Sequence, residues 1–133
     1  MTFPKIDLSN LSAFQNRVDL IKATAQQIIK DFSAFGYEIN FSGNTETAYQ
    51  ELTDQIMLLI QEMINRNYQG LMSVLYRIDV SEREINNKIM NCEPHEFAEK
   101  ITEMVVEREF KKVITRWYFS NQENEDGNLP QKQ

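Results

Sequence analysis

One cysteine and one histidine stand in the 133 residues. A single thiol cannot close an intramolecular disulfide. With one His and one Cys, a structural zinc site cannot assemble its usual four nitrogen and sulfur ligands. Glycine is also scarce, at four residues, and proline at three. That scarcity excludes a turn-rich β fold and favours long uninterrupted elements. The scattered glycines form no phosphate-cradling loop. The longest apolar run, Ile56 to Ile60, is far too short to span a bilayer. The opening residues lack the basic stretch and apolar run of a secretory signal, so the expected location is cytoplasmic. There the sequons Asn10-Leu11-Ser12 and Asn40-Phe41-Ser42 carry no meaning. Basic residues are outnumbered 20 to 14, a formal net charge of -6. Such a chain is repelled by phosphate backbones and anionic membranes.

Apolar residues are plentiful at 41%, enough for one domain to bury a core unaided. Their spacing is helical. Phe14, Val18, Ile21, Ala25, Ile28, Phe32 and Phe35 recur in steps of four and three and form one stripe. Ser12 and Gln15 read as a capping box, so the helix starts near Ala13. Gly36 can take the left-handed conformation that ends it. Tyr37, Ile39 and Phe41 then alternate with polar residues, as in a short strand or an extended loop with one buried face.

A second helix follows Ser42-Gly43-Asn44. Tyr49, Leu52, Ile56, Leu59 and Met63 form its stripe, widened by Met57, Ile60 and Ile64. Thr47 with Gln50 is one possible cap, Asn44 or Thr45 another. Asn65-Arg66-Asn67 ends or interrupts this helix. Residues 68–78 form a shorter third helix through Leu71, Val74, Leu75 and Ile78.

The strongest local signal comes next. Ser81 and Glu84 form a capping box, and Val80 and Ile85 occupy the two positions of a hydrophobic staple. A fourth helix therefore starts at Glu82, with Ile85, Ile89 and Met90 facing inward. Pro94 breaks it and suits the first turn of a fifth. Phe97, Ile101, Met104, Val105, Phe110, Val113, Ile114 and Trp117 give the fifth helix a broad apolar face. Glu93, Glu96 and Glu99 at its start, with Lys111, Lys112 and Arg116 toward its end, match the helix dipole. The expected architecture is all-α: a four- to five-helix bundle, one rod broken into two short helices, with a short extended segment between the first two helices. Residues 1–119 form the single helical domain. From Ser120 onward a polar, disordered C-terminal tail is expected.

At Leu75-Tyr76-Arg77-Ile78-Asp79-Val80-Ser81-Glu82, and again at Arg108-Glu109-Phe110-Lys111-Lys112-Val113 with Arg116, the chain resembles a family of small uncharacterised bacterial proteins. Its members share an "LYRID(V/I)-S/N-E" segment and a C-terminal "RE-x-x-KV-x-x-R" helix. The resemblance covers the second half well and the first half loosely. The family carries no established activity, so the resemblance implies an all-helical cytosolic protein and nothing about catalysis.

Candidate chemistry is sparse. Cys92, His95 and Glu96 have a permitted metal-ligand spacing, but acids placed at a helix start explain them far better, and no metal or other cofactor is expected. The Glu-x-x-His pair of di-iron bundles is missing, because Cys92 stands three residues before His95. Tyr76, Arg77, Asp79 and Arg108 are candidate ligand or corner contacts. As corner contacts, Arg77 would bond an acid such as Glu107 or Glu109, and Asp79 would accept amide protons at the next helix start. Arg108, Lys111, Lys112 and Arg116 beside Trp117, Tyr118 and Phe119 offer charge plus stacking to single-stranded nucleic acid, against the net charge.

The leading expectation is a non-enzymatic interaction module, self-associating as a homodimer or binding another protein through the surplus apolar positions of the second and fifth helices. The alternative is a small-ligand-binding or enzymatic helical protein using acidic residues and Arg77. A concave apolar pocket with converging polar groups would favour that alternative.

Overall fold

The structure, a computed structural model, describes residues 18–126, with side chains through residue 120. Five α-helices follow one another: α1 (Val18–Ser33), α2 (Ala48–Arg66), α3 (Tyr68–Ile78), α4 (Glu82–Ile89) and α5 (Phe97–Asp126), the last preceded by a 3-10 turn over Pro94–Glu96. No strand occurs among the described residues. The fold is the expected all-α bundle. The cap at Ser12 and the helix start near Ala13 lie outside the described residues.

Local chemistry sets the helix ends. At the end of α1, Gly36 has φ +86°. Its N–H donates to Ser33 O at 3.0 Å, and the Tyr37 N–H donates to Phe32 O at 3.1 Å, the paired bonds of a Schellman motif. Between α2 and α3 the chain turns on Asn67, whose side chain accepts from the Gly70 N–H at 3.0 Å. A Cβ on Gly70 would collide with that same Asn67 side chain, so the cap and the glycine require each other. At the end of α3, Asp79 takes φ +77°, and Val80 N–H reaches Leu75 O at 2.8 Å. This is a second Schellman motif, with Asp in the position that usually favours glycine. Ser81 and Glu84 then close their capping box in both directions.

The segment between α1 and α2 is extended and stays outside any sheet. Ile39 is buried, and Tyr37 and Phe41 pack against the core. Its backbone partners come from side chains of α2. The Gln55 amide accepts from Asn40 N–H at 2.9 Å and donates to Asn40 O at 2.7 Å. Glu51 accepts from Ser42 N–H and Oγ. Thr47 occupies the N-cap position of α2 without a side-chain cap bond. Its hydroxyl donates to Glu51 instead.

α5 is the central rod, packing against α1, α2, α3 and α4. The main core joins Ala25, Ile28 and Phe32 of α1 with Ile56 and Ile60 of α2, Leu71 and Leu75 of α3, and Ile101 and Val105 of α5. A second cluster joins Leu20 to Phe110, Val113 and Ile114, covered by Trp117.

Several expectations change. Tyr49, Val18 and Phe35 are exposed although they lie on apolar stripes, and Met90 is 70% exposed. α4 closes at Ile89, and Met90 falls just past its last turn, directed outward. α5 continues through Asp126, past Ser120 where the polar tail was expected to begin. Lys111, Lys112 and Arg116 therefore sit inside a long helix, away from its C-terminal dipole, and Lys112 and Arg116 find other partners. No helix among the described residues is long and apolar enough to cross a membrane.

Candidate functional site

Two places combine polar chemistry with burial. The first is a charged cluster inside the bundle. Asp31 lies one turn after Ile28 on α1, and Glu109 lies between Val105 and Val113 on α5. Helical periodicity aims both acids at the core. Asp31 is 2% exposed and Glu109 is 0% exposed. Arg77 Nε of α3 donates to Asp31 Oδ1 at 2.9 Å, and the Gln27 amide donates to the same oxygen at 3.2 Å. Lys112 Nζ lies 3.4 Å from Asp31 Oδ2 and 3.1 Å from Glu109 Oε1. As an ionised carboxylate Glu109 would have no donor in hydrogen-bond geometry for either oxygen, since Lys112 makes only an ion-pair approach; protonated, it can donate to Asp31.

Protonation resolves this arrangement. Burial raises the Glu109 carboxyl, the bond to Asp31 and the Asp31 charge raise it further, and Lys112 offsets only part, leaving it at about 8. Burial also pushes Asp31 upward. There, the Glu109 and Gln27 bonds, the Lys112 charge and the Arg77 bond prevail and hold it below 3.8. Near neutral pH, Glu109 is thus a neutral acid beside an ionised Asp31, and one proton is held between two carboxyl groups. Both carboxyl groups are buried. The cluster ties α1, α3 and α5 together.

The sequence-singled residues group around this core and the next corner. Arg77 pairs with Asp31, and neither Glu107 nor Glu109 is its partner. Arg77 reaches the α1 acid, while Glu107 lies at the groove lining and Glu109 approaches Lys112. Asp79 does not accept amide protons at the start of α4. Its left-handed backbone leaves the side chain 89% exposed, and Ser81 is the cap. Arg108 clamps this corner from α5: one guanidinium nitrogen donates to the Asp79 carbonyl, and the other to Glu84 Oε2 at 2.8 Å. Tyr76 projects outward, 86% exposed. Arg116 donates to the Gln27 side chain at 2.9 Å, so the C-terminal cations Arg108, Lys112 and Arg116 are engaged with groups of the chain itself. Glu96 accepts from the Glu93 N–H at 3.1 Å, a helix-start role. Among the described residues no group of three or more His, Cys, Asp or Glu could hold a metal ion.

The second place is a groove of about 500 Å³. Its apolar wall comes from Ile21 of α1, Ala48 and Leu52 of α2, and Val106 and Phe110 of α5. Polar groups enter from Thr24, Thr45, Glu46, Tyr49, Lys88, Glu103 and Glu107. Arg77, Asp79, Tyr76 and Arg108 do not line it. Sequence periodicity marked Ile21, Leu52 and Phe110 as apolar-stripe residues, and they are. Periodicity carries no signal for where two stripes diverge and leave an opening.

No family model matches the chain, and no match to it is found among curated proteins or solved structures.

Proposed function

We propose that the chain is a small-molecule-binding protein whose site is the groove between α1, α2 and α5. One observation carries this reading: a concavity of about 500 Å³ with an apolar wall and a few polar groups entering it. Ligand sites in proteins fall in the same size range and have the same mixed lining. The acids expected to serve such a site are therefore Glu46, Glu103 and Glu107, and Arg77 is occupied elsewhere by Asp31.

An uncharged fluorescent probe, N-phenyl-1-naphthylamine, tests the proposal. Saturable binding of one probe per chain is expected, with a blue-shifted emission. Val106→Trp fills the groove from a half-buried position on α5 and should abolish binding while leaving the helical circular dichroism intact. Absence of saturable binding to the unaltered protein, or unchanged binding to a folded Val106→Trp variant, would overturn it.

Self-association is the second reading, favoured by Leu58, which is exposed on α2. The wide stripe of that helix is largely taken up within the chain, since Met57, Leu59 and Ile64 pack against the core. Light scattering over a tenfold concentration range separates the two: a mass staying near 15.7 kDa speaks for the monomeric ligand binder.

A further inference from the structure

The ligand chemistry can be narrowed, on the basis that the groove is a binding site as proposed above. We infer that its ligand is a small amphipathic cation, an apolar body carrying an amine. Glu46, Glu103 and Glu107 bring three carboxylates to the lining and Lys88 brings one ammonium. Among the described residues none of these four makes an ion pair. The buried Asp31 is neutralised by Arg77 and Lys112, and Glu84 by Arg108. The acids at the groove have no such cation against them among the described residues, and with three carboxylates to one ammonium the lining keeps an excess of negative charge.

Glu103 and Glu107 concentrate that charge. They are half-buried and one turn apart on α5, where like charges repel and weaken a helix. The charge of Glu103 reaches across the groove. The Tyr49 phenol is held above its ordinary value by burial first, and then by the charges of Glu103 and Glu99. An anionic ligand would meet that field in a partly desolvated site, where it is least screened. A neutral ligand would cover the carboxylates and return nothing for their lost water. An amine supplies the missing counter-charge. The Tyr49 ring, at the same lining, is an aromatic partner of the kind that cations favour. Ile21, Leu52, Val106 and Phe110 receive the apolar body.

Three competitors of matched length test this against bound N-phenyl-1-naphthylamine: octylammonium, octanol and octanoate. Octylammonium is expected to displace the probe at roughly tenfold lower concentration than octanoate, with octanol between them. In the Glu103→Gln/Glu107→Gln double variant the ratio of octylammonium to octanoate potency is read within that variant, so that its own probe affinity cancels, and most of the preference for the amine should be lost. Displacement by octanoate or octanol as efficient as by octylammonium, or a preference undiminished in the double variant, overturns the inference while leaving the groove as a site. If the probe does not bind the unaltered protein, the groove reading falls and this inference falls with it.

Discussion

Glu109→Gln replaces the buried acid of α5 with an uncharged amide of the same shape. The Gln amide can still donate to Asp31, and Lys112 keeps its approach to Asp31 Oδ2 at 3.4 Å. What disappears is the titration. Glu109 binds its proton up to about pH 8 in the folded protein and only to its ordinary value of 4.5 when unfolded. The folded state therefore holds the extra proton between those limits. Stability from this group is greatest below about pH 4.5 and declines as pH rises through about 8. Asp31 works in the opposite sense: its contribution is present above 3.8 and is lost as pH falls through its lowered value. At about 1.4 kcal/mol per pH unit, holding the acid neutral at pH 7 costs the fold on the order of 3 kcal/mol relative to strongly acidic solution. Urea unfolding followed by circular dichroism, repeated from about pH 5 to about pH 8, should show unaltered protein losing about 3 kcal/mol relative to the variant across that range. Glu109→Gln should then be the more stable protein at the alkaline end. Parallel profiles for the two would refute the assignment of a neutral, proton-sharing Glu109.

Three further substitutions probe the frame around it. Asp79→Gly relieves a left-handed residue while keeping the backbone carbonyl that Arg108 grips, so thermal unfolding should report a gain of about 1 kcal/mol. Ser81→Ala removes the hydroxyl that accepts from the Glu84 N–H at 3.1 Å and should cost about 1 kcal/mol in the same measurement. Gln55→Ala removes both partners of the Asn40 backbone. It should lower stability by roughly 1–2 kcal/mol, and limited proteolysis should cut between residues 37 and 41 faster than in the unaltered protein.

What could be read in advance was what neighbouring residues decide among themselves. The capping box at Ser81 and Glu84, the staple at Val80 and Ile85, the stop at Gly36 and the span of α3 all depend on atoms within a few positions of one another, and each stands as expected. Arg77 shows the limit. Its need for an acid was legible, but the acid that meets it is 46 positions away on α1, and no local pattern points across that distance. A signal for Asp31 did exist: it sits one turn from Ile28 and from Phe35 on a stripe that is otherwise mostly apolar. Glu109 carries the same mark between Val105 and Val113. An acid on an apolar stripe implies burial and therefore a partner, and the two acids partner each other. Lys112 and Arg116 misled for a different reason. Read as the end of a helix, they matched its dipole. α5 runs on to Asp126, and they become lateral contacts to Asp31 and Gln27. The groove was illegible because apolar spacing predicts which residues turn inward and leaves open whether facing helices meet.

The Gln55 pairing with Asn40 bears on how the protein behaves in a crowded solution. An extended stretch such as Tyr37–Phe41, apolar on alternate residues and joined to no sheet, is a ready template for intermolecular strand addition and, from there, for aggregation. A neighbouring chain would need the N–H and C=O of Asn40 to begin that ladder. Gln55 already occupies both, and Glu51 holds the next N–H available on that edge, at Ser42. Two side chains of α2 thus act as a permanent stand-in for a partner strand, and the edge facing them is closed to recruitment for as long as α2 remains folded.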